Sequence, residues 1–340
     1  MEQEDIQALQ QQVRRVASPL HAVRAEMGRI ISGQEALVER LLLALISDGH
    51  VLLEGVPGLA KTLAVKTLAK TLSGSFSRLQ FTPDLLPADV IGTRIYNAAT
   101  GEFTTKTGPV CANIVLADEI NRAPAKVQSA LLEAMQEKQL TIAGERFALP
   151  EPFLVMATQN PIEQEGTYPL PEAQLDRFMF KLRVSYPERA EERSVVERMA
   201  HPVPPPEAIA VAATEDVMEA RKMVDRIYMD EKIIEYILDL VISTRPGHQN
   251  KLSARQSGVN ISEVSRLVEF GASPRASIAL ALAAKGLALL RERAYVLPQD
   301  VKDLAPDVLR HRLVLSYEAE AENVDADMII SHLLSELRTP

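Results

Sequence analysis

The sequence predicts an α/β protein in which a parallel sheet of five strands, covered by helices, precedes a mostly helical domain. In the first half of the chain, short apolar runs alternate with helical patterns, and such runs are typical of parallel strands buried on both faces. After about Tyr186 these runs nearly vanish, and amphipathic helices follow a proline-rich connector at 202–206. The predicted strands are Val51–Leu53, Phe76–Phe81, Ile114–Ala117, Phe153–Ala157 and Phe178–Val184.

The composition is that of an ordinary globular protein. The chain has 340 residues, of which 46% are hydrophobic and 24% are charged, and this length favours two domains. Because Cys111 is the only cysteine, an intrachain disulfide and a cysteine zinc cluster are excluded. The net charge of −9 repels nucleic acid overall. The acidic start and the lack of an apolar run long enough to cross a bilayer predict a cytoplasmic protein without a membrane span.

The first 32 residues are predicted to form helices that pack on the core. Apolar residues recur there at spacings of three and four, which indicates one buried helical stripe. Ser18 and Pro19 have the character of an N-cap and a first helical residue, so we expect two helices with a bend. The predicted segments are N-terminal helices in 1–32, an α/β domain in 33–187 and a helical domain in 188–340.

A glycine-containing loop follows the first predicted strand and leads into an apolar helix. It reads Gly55-Val56-Pro57-Gly58-Leu59-Ala60-Lys61-Thr62. Glycines allow the backbone to turn N–H groups toward an anion, and the helix N-terminus adds positive potential. In such a loop Lys61 reaches the terminal phosphates of a nucleotide and Thr62 binds Mg²⁺. Lys61 is a cation in a first helical turn, which the helix dipole disfavours unless a phosphate lies there.

Two adjacent carboxylates, Asp118 and Glu119, end the third predicted strand. Like charges at the end of a buried strand are unfavourable unless a cation or a proton relieves them. We therefore expect Asp118 to hold Mg²⁺, directly or through water, and Glu119 to polarise an attacking water. Asn160 follows the fourth strand, at the edge where parallel sheets bind ligands, so its amide could position water against a γ-phosphate.

Two further arginines lie where predicted elements begin. Arg177 precedes the fifth predicted strand and, taken by itself, is interpreted as an ordinary salt-bridged arginine. Arg275 lies in the first turn of a helix that Ser273 caps and Pro274 opens, so a negative group is expected to face it. The sequence leaves open whether Arg122 contacts nucleotide or pairs with acids.

This ordered set of motifs resembles the AAA+ ATPases, and several segments resemble the MoxR family in particular. Those segments are Glu54–Gly58, Gln80–Pro87, Ala117–Pro124 with Gln128–Met135, and Thr158–Pro161, and the likeness covers about Ile30 to Leu315. The resemblance implies a nucleotide-binding domain over 33–187 with the strand order 5-1-4-3-2, followed by a helical lid over 188–340.

The resemblance also implies roles for single residues. Lys61 and Thr62 would contact phosphate and Mg²⁺, and Asp118 and Glu119 would be the metal-site and catalytic carboxylates. Asn160 would be sensor 1, Arg177 an arginine finger inserted into a neighbouring subunit's site, and Arg275 sensor 2. Further nucleotide contacts are expected at Gly55, Pro57, Gly58, Leu59, Ala60 and Leu63, and adenine contacts at Ile31, Gly33 and Gln34. An insert at 93–106 and a hairpin at 139–150 would line the pore of a hexameric ring.

The expected function is that of a ring ATPase, using ATP and Mg²⁺, that remodels or activates protein partners. The family often acts with von Willebrand factor A domain proteins. One alternative is a nucleic-acid translocase, whose pore hairpins should carry surplus Lys and Arg. Instead, 97–106 has one acid and one base, and so has 139–150. The other alternative is a scaffold that binds ATP without turnover, which would not require Glu119.

Overall fold

The computed structural model describes residues 3–31, 33–55, 61–99, 101–160, 166–184, 189–200, 207–259 and 261–340. The chain divides into two compact units. The sheet unit comprises Ser18–Leu170 and Leu182–Glu219, and the helical unit comprises Met1–Ala17, Pro171–Lys181 and Ala220–Pro340. The predicted domain limits of 1–32, 33–187 and 188–340 remain predictions.

Helices and strands alternate along the sheet unit, whereas helices dominate the helical unit. The helices are α1 (Gln3–Ile30), α2 (Glu35–Ile46), α3 (Lys61–Thr71), α4 (Pro87–Ile91), α5 (Ala125–Glu137), α6 (Glu172–Leu175), α7 (Arg189–Met199), α8 (Thr214–Arg226), α9 (Glu231–Ser243), α10 (Ser262–Leu267), α11 (Pro274–Leu290), α12 (Pro298–Leu309), α13 (Tyr317–Ala321) and α14 (Ala326–Glu336). The strands are β1 (Val51–Gly55), β2 (Phe76–Gln80), β3 (Gly92–Asn97), β4 (Glu102–Thr107), β5 (Ile114–Asp118), β6 (Gln139–Ile142), β7 (Glu145–Ala148), β8 (Leu154–Gln159), β9 (Phe180–Val184), β10 (Val268–Phe270) and β11 (Val314–Leu315).

The central sheet has five strands in the order β2-β5-β8-β1-β9. The pairs β2 and β5, β5 and β8, and β8 and β1 are parallel. When the five predicted strands are numbered in chain order and the sheet is read from β9 to β2, this order is 5-1-4-3-2. The predicted fold class and strand order are therefore confirmed. Residues 114–117 and 154–158 are buried, because these inner strands are covered on both faces.

Two antiparallel hairpins of the sheet unit lie outside the central sheet. β6 pairs with β7, as expected for the hairpin at 139–150, and β3 pairs with β4, so the insert expected at 93–106 is also a hairpin. Gly92 and Gly108 form the base of the first hairpin. An added Cβ would lie 2.3 Å from the carbonyl oxygen of Lys106 at Gly92, and 2.2 Å from that of Val90 at Gly108. Both positions therefore require glycine.

The N-terminal region is the single helix α1, so the predicted pair of helices with a bend is wrong. Pro19 lies inside α1. A proline in a helix interior costs about 3 kcal/mol. Val13, Val16, Leu20 and Val23, on both sides of it, are buried, and each buried aliphatic side chain contributes about 1.5–3 kcal/mol. Burial of the stripe therefore outweighs the local signal for a helix start at Ser18 and Pro19.

The helical unit is built around α11. Both α9 and α12 pack against α11, and α14 packs against α12. Along α11, Ala276, Leu280, Ala283 and Leu287 are completely buried. Ser273 is the N-cap of this helix, as predicted, and accepts a hydrogen bond from the backbone of Arg275. Across the described part of the chain, no helix has the length and apolar character required to cross a membrane.

Candidate active site

The predicted phosphate, metal and water residues lie where neighbouring parallel strands end. Gly55 is the last residue of β1, Asp118 is the last of β5, and Asn160 directly follows β8. In the sheet register, Gln80 at the end of β2 is level with Asp118. Because parallel strands end at the same edge, the structure brings these residues and Glu119 to one edge of the sheet.

Lys61 begins α3, and its side chain reaches the end of β1. Its Nζ donates a hydrogen bond to the carbonyl oxygen of Gly55. Burial lowers the pKa of Lys61, whereas the charges of Asp118 and Glu119 act to raise it. The ammonium group is therefore partly shielded from water and lies within electrostatic reach of both carboxylates. Thr62 follows in the first turn of α3 and is half-buried, as is the next residue, Leu63.

Gly55 leaves no room for a side chain. An added Cβ would lie 2.7 Å from the carbonyl oxygen of Val184, which ends β9. Glycine is thus required at this position by the approach of two strands, independently of any phosphate. The remaining predicted phosphate contacts lie outside the described residues; they are Pro57, Gly58, Leu59 and Ala60.

A buried threonine, Thr158, joins the two adjacent acids. Its hydroxyl donates a hydrogen bond to Oδ1 of Asp118 at 2.7 Å and accepts one from the backbone N–H of Glu119 at 2.9 Å. Arg78 on β2 approaches the other carboxylate oxygen, with 2.7 Å between its Nη2 and Oδ2 of Asp118. The orientation of Asp118 is therefore set from both sides, by β8 and by β2.

Glu119 has an unusual backbone conformation, with φ 57° and ψ 50° in the left-handed region. This conformation costs a residue other than glycine about 1–2 kcal/mol. Its side chain is held at two points: Oε2 accepts a hydrogen bond from Nε2 of Gln80 at 2.9 Å and lies 3.2 Å from Nε of Arg122. Arg122 therefore pairs with an acid in this structure, and a contact with nucleotide stays an open alternative.

The residues predicted near the adenine lie where α1 ends and α2 begins. Ile31 lines a cavity of about 330 Å³, a volume in the range of small-ligand pockets. Gly33 has φ 70°, and the carbonyl oxygen of Gln34 accepts the N–H of Val38 in the first turn of α2. The other residues lining the cavity are His21, Arg24, Ala25, Gly28, Glu35 and Val38.

Arg177 and Arg275 belong to the helical unit. Arg177 is half-buried and lies between α6 and β9. Arg275 is half-exposed in the first turn of α11, and its Nη1 lies 3.9 Å from Oδ2 of Asp176. The negative group that was expected to face Arg275 is therefore present within the chain.

Sequence reasoning misses Arg78, Gln80 and Thr158. Arg78 and Gln80 flank the buried Leu79 on β2, and only the sheet order shows that β2 lies beside the strand that carries the acids. The available signal for Thr158 is a hydroxyl that follows four apolar residues of β8, and in the sheet Thr158 is level with Leu53 of β1.

Comparisons with known proteins agree with this architecture. A profile of the ATPase family associated with various cellular activities (AAA) matches residues 50–180, and an AAA lid domain profile matches 261–333. Chaperone MoxR1 of Mycobacterium tuberculosis is 53% identical over 315 residues, which cover 93% of this chain and 81% of that protein. Protein MoxR of Paracoccus denitrificans is 31% identical, covering 88% of this chain and 90% of that protein.

A solved structure is similar over the whole length. The crystal structure of a Cytophaga hutchinsonii protein designated an ATPase has a TM-score of 0.89 and 44% sequence identity, and the match covers 99% of both chains. Similarity of this extent, in sequence and in fold, shows that the chain belongs to the MoxR family of AAA+ ATPases.

Proposed function

We propose that this chain hydrolyses ATP with Mg²⁺ in a ring oligomer and uses the cycle to remodel or activate protein partners. The observation that carries the proposal is the group of Lys61, Asp118, Glu119 and Thr158 at one sheet edge. One half-buried cation and two oriented carboxylates at the carboxyl ends of parallel strands suit a nucleotide triphosphate and a divalent cation.

Phosphate and metal binding are assigned to the start of α3 and the end of β5. Lys61 would neutralise the terminal phosphates, while Thr62 and Asp118 would hold Mg²⁺, which binds proteins through few oxygen ligands and takes the rest from phosphate and water. Bound Mg²⁺ would supply charge neutralisation at the phosphates. The donor set fits this ion, because both groups are oxygen ligands and Thr158 already orients Oδ1 of Asp118.

Glu119 is assigned the role of polarising the attacking water. Its Oε2 is fixed by Gln80 and Arg122, and its backbone N–H is fixed by Thr158. General base catalysis of this kind contributes about 10²–10⁴-fold to a rate. Asn160, at the end of β8, would place the same water through its amide.

The proposed dependence of ATP hydrolysis on ring assembly rests on Arg177, the proposed arginine finger. A finger supplied by a neighbouring subunit contributes about 10³–10⁵-fold, which corresponds to roughly 4–7 kcal/mol of barrier. An isolated subunit should then hydrolyse ATP poorly, and turnover should depend on ring formation. Arg275 would report nucleotide occupancy in its own subunit. A hexamer acting with a von Willebrand factor A domain protein is the expected assembly.

The test separates binding from turnover. Lys61→Ala should lose nucleotide affinity, measured by calorimetry, whereas Lys66→Ala, on an exposed position of the same helix, should keep it. Glu119→Gln should keep affinity and lose about 100-fold or more in kcat. Arg177→Ala should keep affinity and lose turnover. Unchanged affinity in Lys61→Ala, or full activity in a strictly monomeric protein, would refute the proposal.

A nucleic-acid translocase is the second candidate, and one observation favours it. On the β3–β4 hairpin, the exposed rings of Tyr96 and Phe103 lie 5.0 Å apart, with Arg94 5.1 Å above Phe103. Aromatic rings beside arginine suit stacking on single-stranded bases. The same surface also suits apolar side chains of a polypeptide, and the net charge of −9 favours the polypeptide. ATPase activity stimulated by single-stranded DNA and lost with salt would favour the translocase.

A further inference from the structure

Arg312, in the helical unit, uses all of its hydrogen-bonding capacity on the segment 176–179 and on the carbonyl oxygen of Val308 in α12. It is almost completely buried, with 3% of its side chain exposed. A guanidinium has five N–H donors, and each of them has an acceptor. Nε donates to Oδ1 of Asp176 at 2.7 Å, Nη1 to the carbonyl oxygens of Met179 at 3.2 Å and of Val308, and Nη2 to the carbonyl oxygens of Asp176 at 3.2 Å and Phe178 at 2.7 Å.

These acceptors lie on both sides of Arg177. Arg312 binds the backbone before it, at Asp176, and after it, at Phe178 and Met179. His311 adds a further contact, because its Nε2 lies 3.0 Å from the carbonyl oxygen of Phe178. Burial lowers the pKa of His311 well below its ordinary value, so the ring is neutral at pH 7 and Nε2 carries the donated proton. The backbone that presents Arg177 is therefore fixed by two buried side chains.

The same Asp176 carboxylate also reaches the helix that carries Arg275. Its Oδ2 accepts a hydrogen bond from the hydroxyl of Ser273 at 2.9 Å and lies 3.9 Å from Nη1 of Arg275. The Ser273 hydroxyl in turn accepts the backbone N–H of Arg275 at 3.1 Å, as the N-cap of α11. One carboxylate thus binds Arg312 through one oxygen and the start of α11 through the other.

A buried arginine paired with an acid adds little to the free energy of unfolding. Removing two charges from water is unfavourable, and the mutual attraction of the pair roughly offsets this penalty. What such a pair does supply is direction, since a planar guanidinium fork and a carboxylate fix each other's geometry. Both partners of the pair lie within one compact unit, so their geometry is maintained when that unit moves as a body.

We propose that Asp176 and Arg312 are positioning residues that couple the two arginines of the ATPase cycle. This inference rests on the proposed function, in which Arg275 senses nucleotide in its own subunit and Arg177 completes the site of a neighbour. A shift of the start of α11 as Arg275 engages a phosphate moves Ser273, and Ser273 moves the Asp176 carboxylate. Asp176 and Arg312 then transmit the shift to the backbone at Arg177, so occupancy of one site adjusts the finger in the next.

The test uses mixed rings in which each subunit type lacks one function. A Glu119→Gln subunit cannot hydrolyse ATP but supplies Arg177, whereas an Arg177→Ala subunit has an intact site but supplies no finger. In the mixture, ATP is therefore hydrolysed only at an Arg177→Ala subunit whose neighbour is a Glu119→Gln subunit that supplies Arg177. Asp176→Asn, which keeps the shape of the side chain, is placed in one subunit type or the other, and kcat and KM for ATP are measured.

The coupling predicts an effect that depends on placement. In the finger-supplying subunit, Asp176→Asn should lower kcat about 10–100-fold with little change in KM, the range for residues that orient an active group. In the site-bearing subunit it should raise KM several-fold through Arg275 while kcat is kept. Equal effects in both placements, or no effect in either, would overturn the coupling. A mixture without activity would refute the proposed role of Arg177 itself, and the coupling with it.

Two controls separate geometry from loss of folding. Asp303→Asn is matched, because Asp303 also accepts hydrogen bonds from one arginine and one neutral side chain, Arg291 and Gln299, in the same unit. It should leave kcat and KM unchanged. If Asp176→Asn does not fold, as judged by circular dichroism and its thermal midpoint, Ser273→Ala serves instead. Ser273→Ala removes the hydrogen bond to Asp176 and the N-cap of α11 but keeps the contact of Asp176 with Arg312. It should raise KM in the site-bearing subunit and, because the shift of α11 no longer reaches Arg177, lower kcat in the finger-supplying subunit; an unchanged kcat there would overturn the coupling.

Discussion

The hydroxyl of Thr158 lies 2.7 Å from Oδ1 of Asp118 and also accepts the backbone N–H of Glu119. A single buried side chain on β8 therefore aligns Asp118, the proposed metal-site acid at the end of β5, with Glu119, the proposed water-polarising acid that follows it. This alignment depends on the neighbouring positions of β5 and β8 in the sheet.

Replacing Thr158 with valine should impair both catalysis and folding. Thr158→Val keeps the shape but removes both hydrogen bonds, so kcat should fall about 10–100-fold. The unpaired N–H of Glu119 should lower the free energy of unfolding by about 1–3 kcal/mol. Turnover assays and urea titrations measure the two effects. Thr71→Val is the matched control, since Thr71 is equally buried but its hydroxyl bonds only within α3; an equal loss of kcat in both variants would contradict the prediction.

Arg78 is expected to compete with Mg²⁺ for Asp118. Its Nη2 lies 2.7 Å from Oδ2 of that carboxylate, and half of the Arg78 side chain is exposed. Exposed ion pairs contribute up to about 1 kcal/mol, so Arg78→Met should lower the Mg²⁺ concentration for half-maximal ATPase activity by up to about fivefold. A Mg²⁺ titration at saturating ATP measures this. Arg193→Met, which breaks the exposed pair with Glu197, should leave the titration unchanged; an increased Mg²⁺ requirement in Arg78→Met would contradict the prediction.

Gly55→Ala should impair both packing and nucleotide binding. The new Cβ would lie 2.7 Å from the carbonyl oxygen of Val184, and relief of this clash should cost about 1–3 kcal/mol of unfolding free energy. The displaced Gly55 carbonyl would also release Lys61, so nucleotide affinity should fall. At Gly74 an added Cβ meets its nearest neighbour at 3.5 Å, and Gly74→Ala should change stability by only about 0.5 kcal/mol. Comparable losses in the two variants would show that the contact with β9 is unimportant.

Glu26 should make stability depend on pH in the acid range. Hydrogen bonds from Arg29 and from the backbone of Ile209 lower the pKa of Glu26 to about 2. A depressed pKa contributes stability that is present above the unfolded-state value of about 4.3 and is lost as the pH falls toward 2. Wild type should therefore exceed Glu26→Gln in urea resistance at pH 7, and the difference should narrow at pH 3. A difference that stays constant over this range would contradict the assignment.

The sequence predicts the parts of the fold that depend on local hydrophobicity. The predicted inner strands are apolar, and Asp118 and Glu119 directly follow one of them. The sequence therefore predicts both the position of these two acids and their access to a ligand. The resemblance to a family adds the strand order, which no local pattern contains. The local sequence around Pro19 indicates a helix start, but α1 is continuous there because tertiary packing buries its apolar side chains. A local pattern does not contain this information.

The residues that orient the acids and arginines are harder to predict, because their partners are distant in sequence. Arg78 and Gln80 lie about 40 positions from the acids that they hold. Arg312 lies 136 positions from Asp176, and nothing around it in the sequence distinguishes it from a surface arginine. Such roles follow from which elements become neighbours, and therefore emerge only with the structure.

The left-handed backbone at Glu119 has a consequence for the protein's history and for its engineering. Glycine adopts this conformation freely, so Glu119→Gly relieves local strain at the same step that it removes the proposed water-polarising group. If Glu119 polarises the attacking water as proposed, screening for heat resistance alone would favour inactive variants at this position. A requirement for turnover would then account for a glutamate where the backbone conformation favours glycine.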